Sequence, residues 1–154
     1  MTTIEQVLSS LGLELPPIAA PLAAYSPAVR TGSYVFTSGQ LPLVDGKLVM
    51  RGKVGAEVSA HEANSLARIC VLNALAAAQT VVGDLGRIQR VVKVVGFVAS
   101  DPSFTGQPGV VNGASELLVE IFGERGVHAR SAVGVAVLPL DAPVEVEVHF
   151  ELKS

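Results

Sequence analysis

Between Val144 and Leu152 apolar and polar residues alternate without a break: Val144, Val146, Val148, Phe150 and Leu152 on one side, Glu145, Glu147, His149 and Glu151 on the other. A two-residue period belongs to the β-strand, so this segment predicts a strand with one dry face and one acidic face. A dry face needs a second layer to cover it, and the chain offers two segments of helical period. Ser59 followed three residues later by Glu62 makes a capping box that starts a helix through Leu66, Ile69, Cys70, Leu72 and Leu75 into an Ala-rich stretch. Gly83 suits the turn past its end. After a Pro/Gly-rich loop from Asp101 to Gly109, Val111, Ala114, Leu118 and Ile121 repeat at helical spacing up to Gly123.

The other elements are shorter. Thr3 caps a helix whose stripe is Ile4, Val7, Leu8 and Leu11, stopped by Gly12 and Pro16-Pro17. From Tyr25 to Gln40 the β-prone run Tyr34-Val35-Phe36-Thr37 follows a Thr31-Gly32 turn, and Asp45-Gly46 marks a hairpin into Lys47-Leu48-Val49-Met50, making three short strands. Arg90 to Ala99 contains Val91-Val92-Lys93-Val94-Val95, the composition of a central strand. Val133 to Leu138 precedes a turn at 139–143, which predicts an antiparallel hairpin with the last strand. The order predicts an α+β fold over 1–154 as a single domain: one mixed six-stranded sheet, two main helices on one face, and a short N-terminal helix as an extension over 1–17.

Composition narrows the function. With 154 residues, 49% apolar and 16% charged, the chain can bury a core. Its excess of apolar surface is expected to lie in a subunit interface. No uninterrupted apolar run reaches the roughly 20 residues of a bilayer span. The start lacks a leader pattern, and Cys70 alone closes no intrachain disulfide, so a soluble protein of the reducing cytoplasm is expected, with no membrane partner. The net charge of −3, with no Lys/Arg run among aromatics, argues against nucleic acid. His61, His128 and His149 are scattered, none at metal-ligand spacing, so no metal is expected. Gly-rich phosphate patterns are missing, and Ser38-Gly39-Gln40 is not a nucleophile elbow.

Four separate segments carry a resemblance. Tyr34-Val35-Phe36-Thr37-Ser38-Gly39-Gln40-Leu41-Pro42 resembles the strand ending in T/S-G-Q-x-P of the imine and enamine deaminases called the RidA or YjgF/YER057c/UK114 family. Ala129-Arg130-Ser131-Ala132-Val133, through Leu138-Pro139 to Val144-Glu145-Val146-Glu147, is similar to its P-A-R-S-x-V, L-P and I-E-I-E signature. Val111-Asn112-Gly113-Ala114 resembles its V-N segment, and Tyr25 the Tyr of its P-Y-x-Q element. The likeness covers residues 20–152 in the family's order. It implies a chorismate-mutase-like α+β fold, a homotrimer with sites between subunits, and hydrolysis of 2-imino acids to 2-oxo acids and ammonia without metal or organic cofactor.

That chemistry suits particular residues. A substrate carboxylate matches the paired N–H donors of a guanidinium, making Arg130 the natural clamp; a surface or structural ion pair is the competing role. Hydrolysis of C=N needs a water and a proton acceptor, for which Glu145 stands in the family's position, unless it is one more polar residue of a half-exposed strand. Ser38 and Gly39 offer backbone N–H groups or form a plain turn. Tyr25 walls the pocket or fills a core or interface site, and Asn112 fixes a ligand atom or caps a helix. Ala132 stands on the substrate side where many relatives have Cys, so no thiol is available there, and mid-helix Cys70 reads as core. The Gln of P-Y-x-Q is absent as well. On the expected hairpin Glu145 faces about Ala136, leaving Arg130 roughly 20 Å away, so the two meet only across subunits. The alternatives to a deaminase are a trimer that binds small carboxylates without catalysis and a ribonuclease or translation inhibitor.

Overall fold

The computed structural model describes residues 2–18 and 24–154. The elements are α1 (Ile4–Ser10), β1 (Ala28–Thr31), β2 (Tyr34–Thr37), β3 (Leu43–Val44), β4 (Lys47–Leu48), α2 (Ala60–Val82), β5 (Ile88–Ala99), α3 (Gln107–Phe122), β6 (Ala129–Val135) and β7 (Val144–Leu152). Both helix-start signals act as their chemistry requires. The Thr3 and Ser59 hydroxyls accept from the N–H groups of Gln6 and Glu62, whose side chains return to the cap N–H. Asp45 (φ 51°) and Gly46 (φ 76°) both take positive φ, as the tight β3–β4 hairpin demands.

The main sheet runs β1-β2-β7-β5-β6, and β3-β4 forms a separate two-stranded ribbon, so the six strands expected in one sheet become five with a hairpin beside them. β7 is antiparallel to both β2 and β5, and it is central. The expected β6–β7 hairpin does not form. β5 lies between them and pairs in parallel with β6, from Lys93↔Ala129 to Ala99↔Val135. A parallel pair needs a long crossover, and α3 is that crossover; β6 thereby takes one edge of β5 and leaves the other to β7. The chain then turns between β6 and β7 through Leu140 and Asp141, both at positive φ.

The core lies between one sheet face and the helices. Val144, Val146, Val148, Phe150 and Leu152 are buried against Val94, Val98 and the apolar sides of α2 and α3. By length and composition α2 is apolar enough to cross a bilayer, but its apolar surface is covered by the sheet and α3. The helices touch closely at Gly113: a Cβ there would lie 2.9 Å from the Asn64 carbonyl carbon and closer still to its oxygen, while Asn64 Nδ2 donates to the Gly109 carbonyl at 2.8 Å. The opposite sheet face carries Val29, Phe36, Glu145, Glu147, His149 and Val133, with Val29 54% and Val133 44% exposed.

Gly113→Ala must push backbone apart and is expected to cost about 1–3 kcal/mol in denaturant unfolding. Gly109→Ala, with nothing within 4 Å of the new methyl, should be neutral or stabilising by up to about 1 kcal/mol.

Candidate functional site

Arg130 and Ala132 share the helix-side face of β6 because they sit two residues apart on a strand. On α3, Asn112 and Ser115 share a face because they sit three apart on a helix. Their meeting makes the first corner of the site. Arg130 Nη1 donates to Asn112 Oδ1 at 2.7 Å and to Ser115 Oγ at 3.2 Å. Both protons of Nη1 are thus used. Nε and Nη2 have no partner among the described residues, nor does any carboxylate lie within ion-pair distance of Arg130 among them. A structural ion pair is therefore not what holds this residue. The side edge of the guanidinium presents two parallel donors, the shape a carboxylate accepts.

Behind Ser115 stands His128, whose Nε2 is 2.9 Å from Ser115 Oγ and whose Nδ1 is 2.6 Å from the Gly126 carbonyl. A carbonyl only accepts, so Nδ1 carries the proton, and in the neutral ring Nε2 is the acceptor. Burial holds the imidazole pKa below its ordinary value, the Gly126 bond opposes this, and the nearby Arg130 charge adds to the lowering. The pattern search missed both Ser115 and His128. The signals were present: Ser115 lies three residues from Asn112 on a helix, and His128 two from Arg130 in extended chain.

Asn112 is the sixth residue of α3, which starts at Gln107 with Pro in its first turn, so Asn112 does not cap the helix. Ala132 is half-buried against the core beside Arg130. Cys70 is fully buried with its sulfur toward the Val144 carbonyl, and burial first, then the Glu145 charge, pushes its thiol pKa well up. It is an inert core residue.

The second corner gathers around Glu145 on the open sheet face. Gln40 exchanges backbone hydrogen bonds with Val146, 2.8 and 3.0 Å, which lays Gly39 directly on Glu145: a Cβ on Gly39 would lie 2.8 Å from the Glu145 carboxyl carbon. Only glycine leaves the carboxylate this position. Burial raises the Glu145 pKa, and the like charge of Glu147 raises it further. Ser38 keeps neither of its donors free. Its N–H donates to the Pro27 carbonyl at 2.8 Å and its hydroxyl to the Ser26 carbonyl at 2.7 Å, so both donors are spent tying down the chain before β1. The Gly39 N–H has no partner among the described residues. Tyr25 sits beside that tie, 59% exposed, in a bend next to residues outside the described set.

One chain does not bring the corners together. Glu145 pairs with Phe97, and Phe97 with Val133, so Arg130 lies three residues along and two strands across, roughly 14 Å by strand spacing. The hairpin estimate rested on a pairing that does not exist. A stronger obstacle replaces it: Arg130 faces the helix layer and Glu145 the opposite side of the sheet. Among the described residues no group of three His, Cys, Asp or Glu side chains is arranged to hold a metal ion. His61 is exposed in the first turn of α2, and His149 stacks at 4.8 Å on Phe36.

A family model described as "YjgF/chorismate mutase-like, putative endoribonuclease" matches residues 5–152. Over 148 residues the chain is 47% identical to Protein TCP17 of Trypanosoma cruzi, covering 96% of this chain and 92% of that one. Among solved structures it is similar to Atu1372 of Agrobacterium tumefaciens, a protein of unknown function, with TM-score 0.91, 43% identity, and 97% and 92% of the two chains covered. A protein from Shewanella oneidensis described in the family's terms gives TM-score 0.94, 38% identity, and coverage of 98% and 100%.

Two measurements check the electrostatics. Nitrogen NMR of His128 should show the Nδ1–H tautomer at neutral pH and a titration midpoint below 6.5. Because the Glu145 pKa is raised in the fold, the native state holds more protons than the unfolded chain above the ordinary value of 4.5, and stability falls as pH rises through that window. Glu145→Gln should therefore raise the melting temperature at neutral pH, the gain fading as pH drops below about 4.5.

Proposed function

The chain belongs to the YjgF/chorismate mutase-like family, and from that premise we propose that it hydrolyses a small carboxylate-bearing imine or enamine, a 2-imino acid giving a 2-oxo acid and ammonia. The observation that carries this reading is the side edge of Arg130, without a partner among the described residues and held open by Asn112 and Ser115. A planar substrate carboxylate takes Nε–H and Nη2–H together, which fixes the adjacent C=N carbon. Glu145, its pKa raised toward neutrality and so a better base at working pH, accepts a proton as water adds to that carbon. The C–O bond forms and the C=N π electrons move to nitrogen, which takes that proton back from Glu145 to give the carbinolamine. Glu145 then accepts the proton of the added hydroxyl and passes it to nitrogen as the C–N bond breaks, releasing ammonia and leaving the carbonyl. The Gly39 N–H, without a partner among the described residues, offers a donor to the substrate beside Glu145.

In this reading Arg130 and Glu145 of one site come from different subunits of a homotrimer. Their placement on opposite faces of the sheet supports it, as does the uncovered face bearing Val29, Phe36 and Val133. Ala132, with no thiol beside Arg130, favours a second reading in which the trimer binds small carboxylates without turning them over. The endoribonuclease of the family's description finds less support in a chain of net charge −3.

The test is 2-oxo acid formation from imino acids generated by an amino-acid oxidase or dehydratase, followed against the uncatalysed rate. Wild type should accelerate it and Arg130→Ala should not. Arg130→Lys should lose at least about tenfold, since a point charge cannot serve Asn112, Ser115 and a two-oxygen ligand at once. Binding without acceleration would select the second reading. Mixing unfolded Arg130→Ala and Glu145→Gln chains and refolding them together should restore about a quarter of the sites, those pairing an intact Arg130 with an intact Glu145 across an interface. No recovery would place both residues in one subunit's site.

A further inference from the structure

A serine inside a helix has an easy alternative to any outward hydrogen bond, because its hydroxyl can turn back to the carbonyl one turn earlier in its own helix. Ser115 sits mid-way along α3, with Val111 in that position. Its oxygen nevertheless accepts from Arg130 Nη1. What holds the hydroxyl outward is His128 Nε2 at 2.9 Å, a lone pair able to take the Ser115 proton. That lone pair exists only while Nδ1 carries the ring proton, a state imposed by the Gly126 carbonyl at 2.6 Å. Gly126 is itself pressed onto α3: a Cβ there would lie 2.8 Å from the Leu118 carbonyl carbon. The chain of bonds thus starts on β6, passes through α3 and ends on the segment that joins the two. It runs from Arg130 Nη1–H to Ser115, from Ser115 O–H to His128 Nε2, and from His128 Nδ1–H to Gly126, each donor and acceptor used in the only consistent direction.

We propose that Ser115 and His128 are positioning residues that set the roll of the Arg130 guanidinium so that its Nε and Nη2 edge faces the ligand carboxylate. Asn112 alone fixes one proton of Nη1 and leaves the plane free to rotate about that bond; Ser115 takes the second proton and removes the rotation. The donation of the Ser115 hydroxyl to the imidazole also makes its oxygen a better acceptor for the guanidinium. Neither residue needs to touch the ligand. The inference rests on the reading of Arg130 as the carboxylate clamp and adds what orients it.

The experiment is calorimetric titration of 2-oxobutanoate, a carboxylate of the product class, into wild type, Arg130→Ala, Ser115→Ala, Ser115→Thr, His128→Asn and His128→Gln, with melting temperatures recorded alongside. Ser115→Ala and His128→Asn, the latter keeping a donor for Gly126 but too short for Ser115, should each weaken binding about tenfold at unchanged melting temperature. Ser115→Thr should restore it, since Ser115 lines an open groove with Glu116, Val119 and Glu120 that has room for the extra methyl. His128→Gln, whose amide oxygen reaches Ser115, should recover part. In the hydrolysis assay the loss should fall on KM with kcat little changed, because the carboxylate is held equally in ground and transition states. Full-strength binding by Arg130→Ala would remove the clamp reading itself. Weakening by Arg130→Ala with none by Ser115→Ala or His128→Asn would overturn the relay alone. Loss in Ser115→Thr equal to that in Ser115→Ala would show mere packing and overturn it too.

Discussion

Burial of Val144, Val146, Val148, Phe150 and Leu152 is the constraint from which the rest is counted. Each side chain taken fully from water is worth about 1.5–3 kcal/mol, and a slip of one residue would put Glu145, Glu147, His149 and Glu151 against the helices instead. β7 is therefore pinned in register, and it lies at the middle of the sheet. Its pairing with Gln40 at Val146 lays Gly39 on Glu145. Its pairing with β5 at Val94, carried across to β6, sets the height of Arg130. One strand thus positions both corners of the candidate site, though it contributes a side chain to only one.

The two corners have opposite electrostatic characters, and the fold keeps them apart. Arg130 is half-satisfied by neutral oxygens, which orient a guanidinium without neutralising it. Glu145 is desolvated beside another carboxylate, which makes it readier to hold a proton. Three residues along and two strands across, on opposite faces of the sheet, the two side chains cannot close on each other as an ion pair within one chain. Beside Glu145 the same sheet face leaves Val29, Phe36 and Val133 exposed.

Local signals in the sequence predict local structure where local chemistry decides it. The capping boxes at Thr3 and Ser59, the Asp45-Gly46 turn and the alternation of β7 each depend on residues within a few positions of one another. The turn at 139–143 predicts a β6–β7 hairpin, but α3 between β5 and β6 also permits a parallel pair, and that is the pair that forms. Of the two roles open to Ser38, donor to a ligand or part of a plain turn, the contacts favour the second, since both its donors go to the carbonyls of Ser26 and Pro27 in a neighbouring segment. Motifs along the chain point to Arg130, Glu145, Gly39, Asn112 and Ala132 but not to Ser115 or His128, because the bond of Ser115 to Arg130 and that of His128 to Ser115 each join α3 to a segment distant in sequence.

The sequence by itself determined the elements, the dry and wet faces of the last strand, the residue types that suit carboxylate chemistry, and the family resemblance. These follow from periodicity, capping and motif order, which are written within short stretches of chain. Only the tertiary structure decided which face of the sheet each charged group occupies, which donors are already spent, and which side of the guanidinium remains free. Those properties depend on groups distant in sequence competing for the same hydrogen-bond partners, and the outcome is settled when the crossover helix packs and brings them within reach.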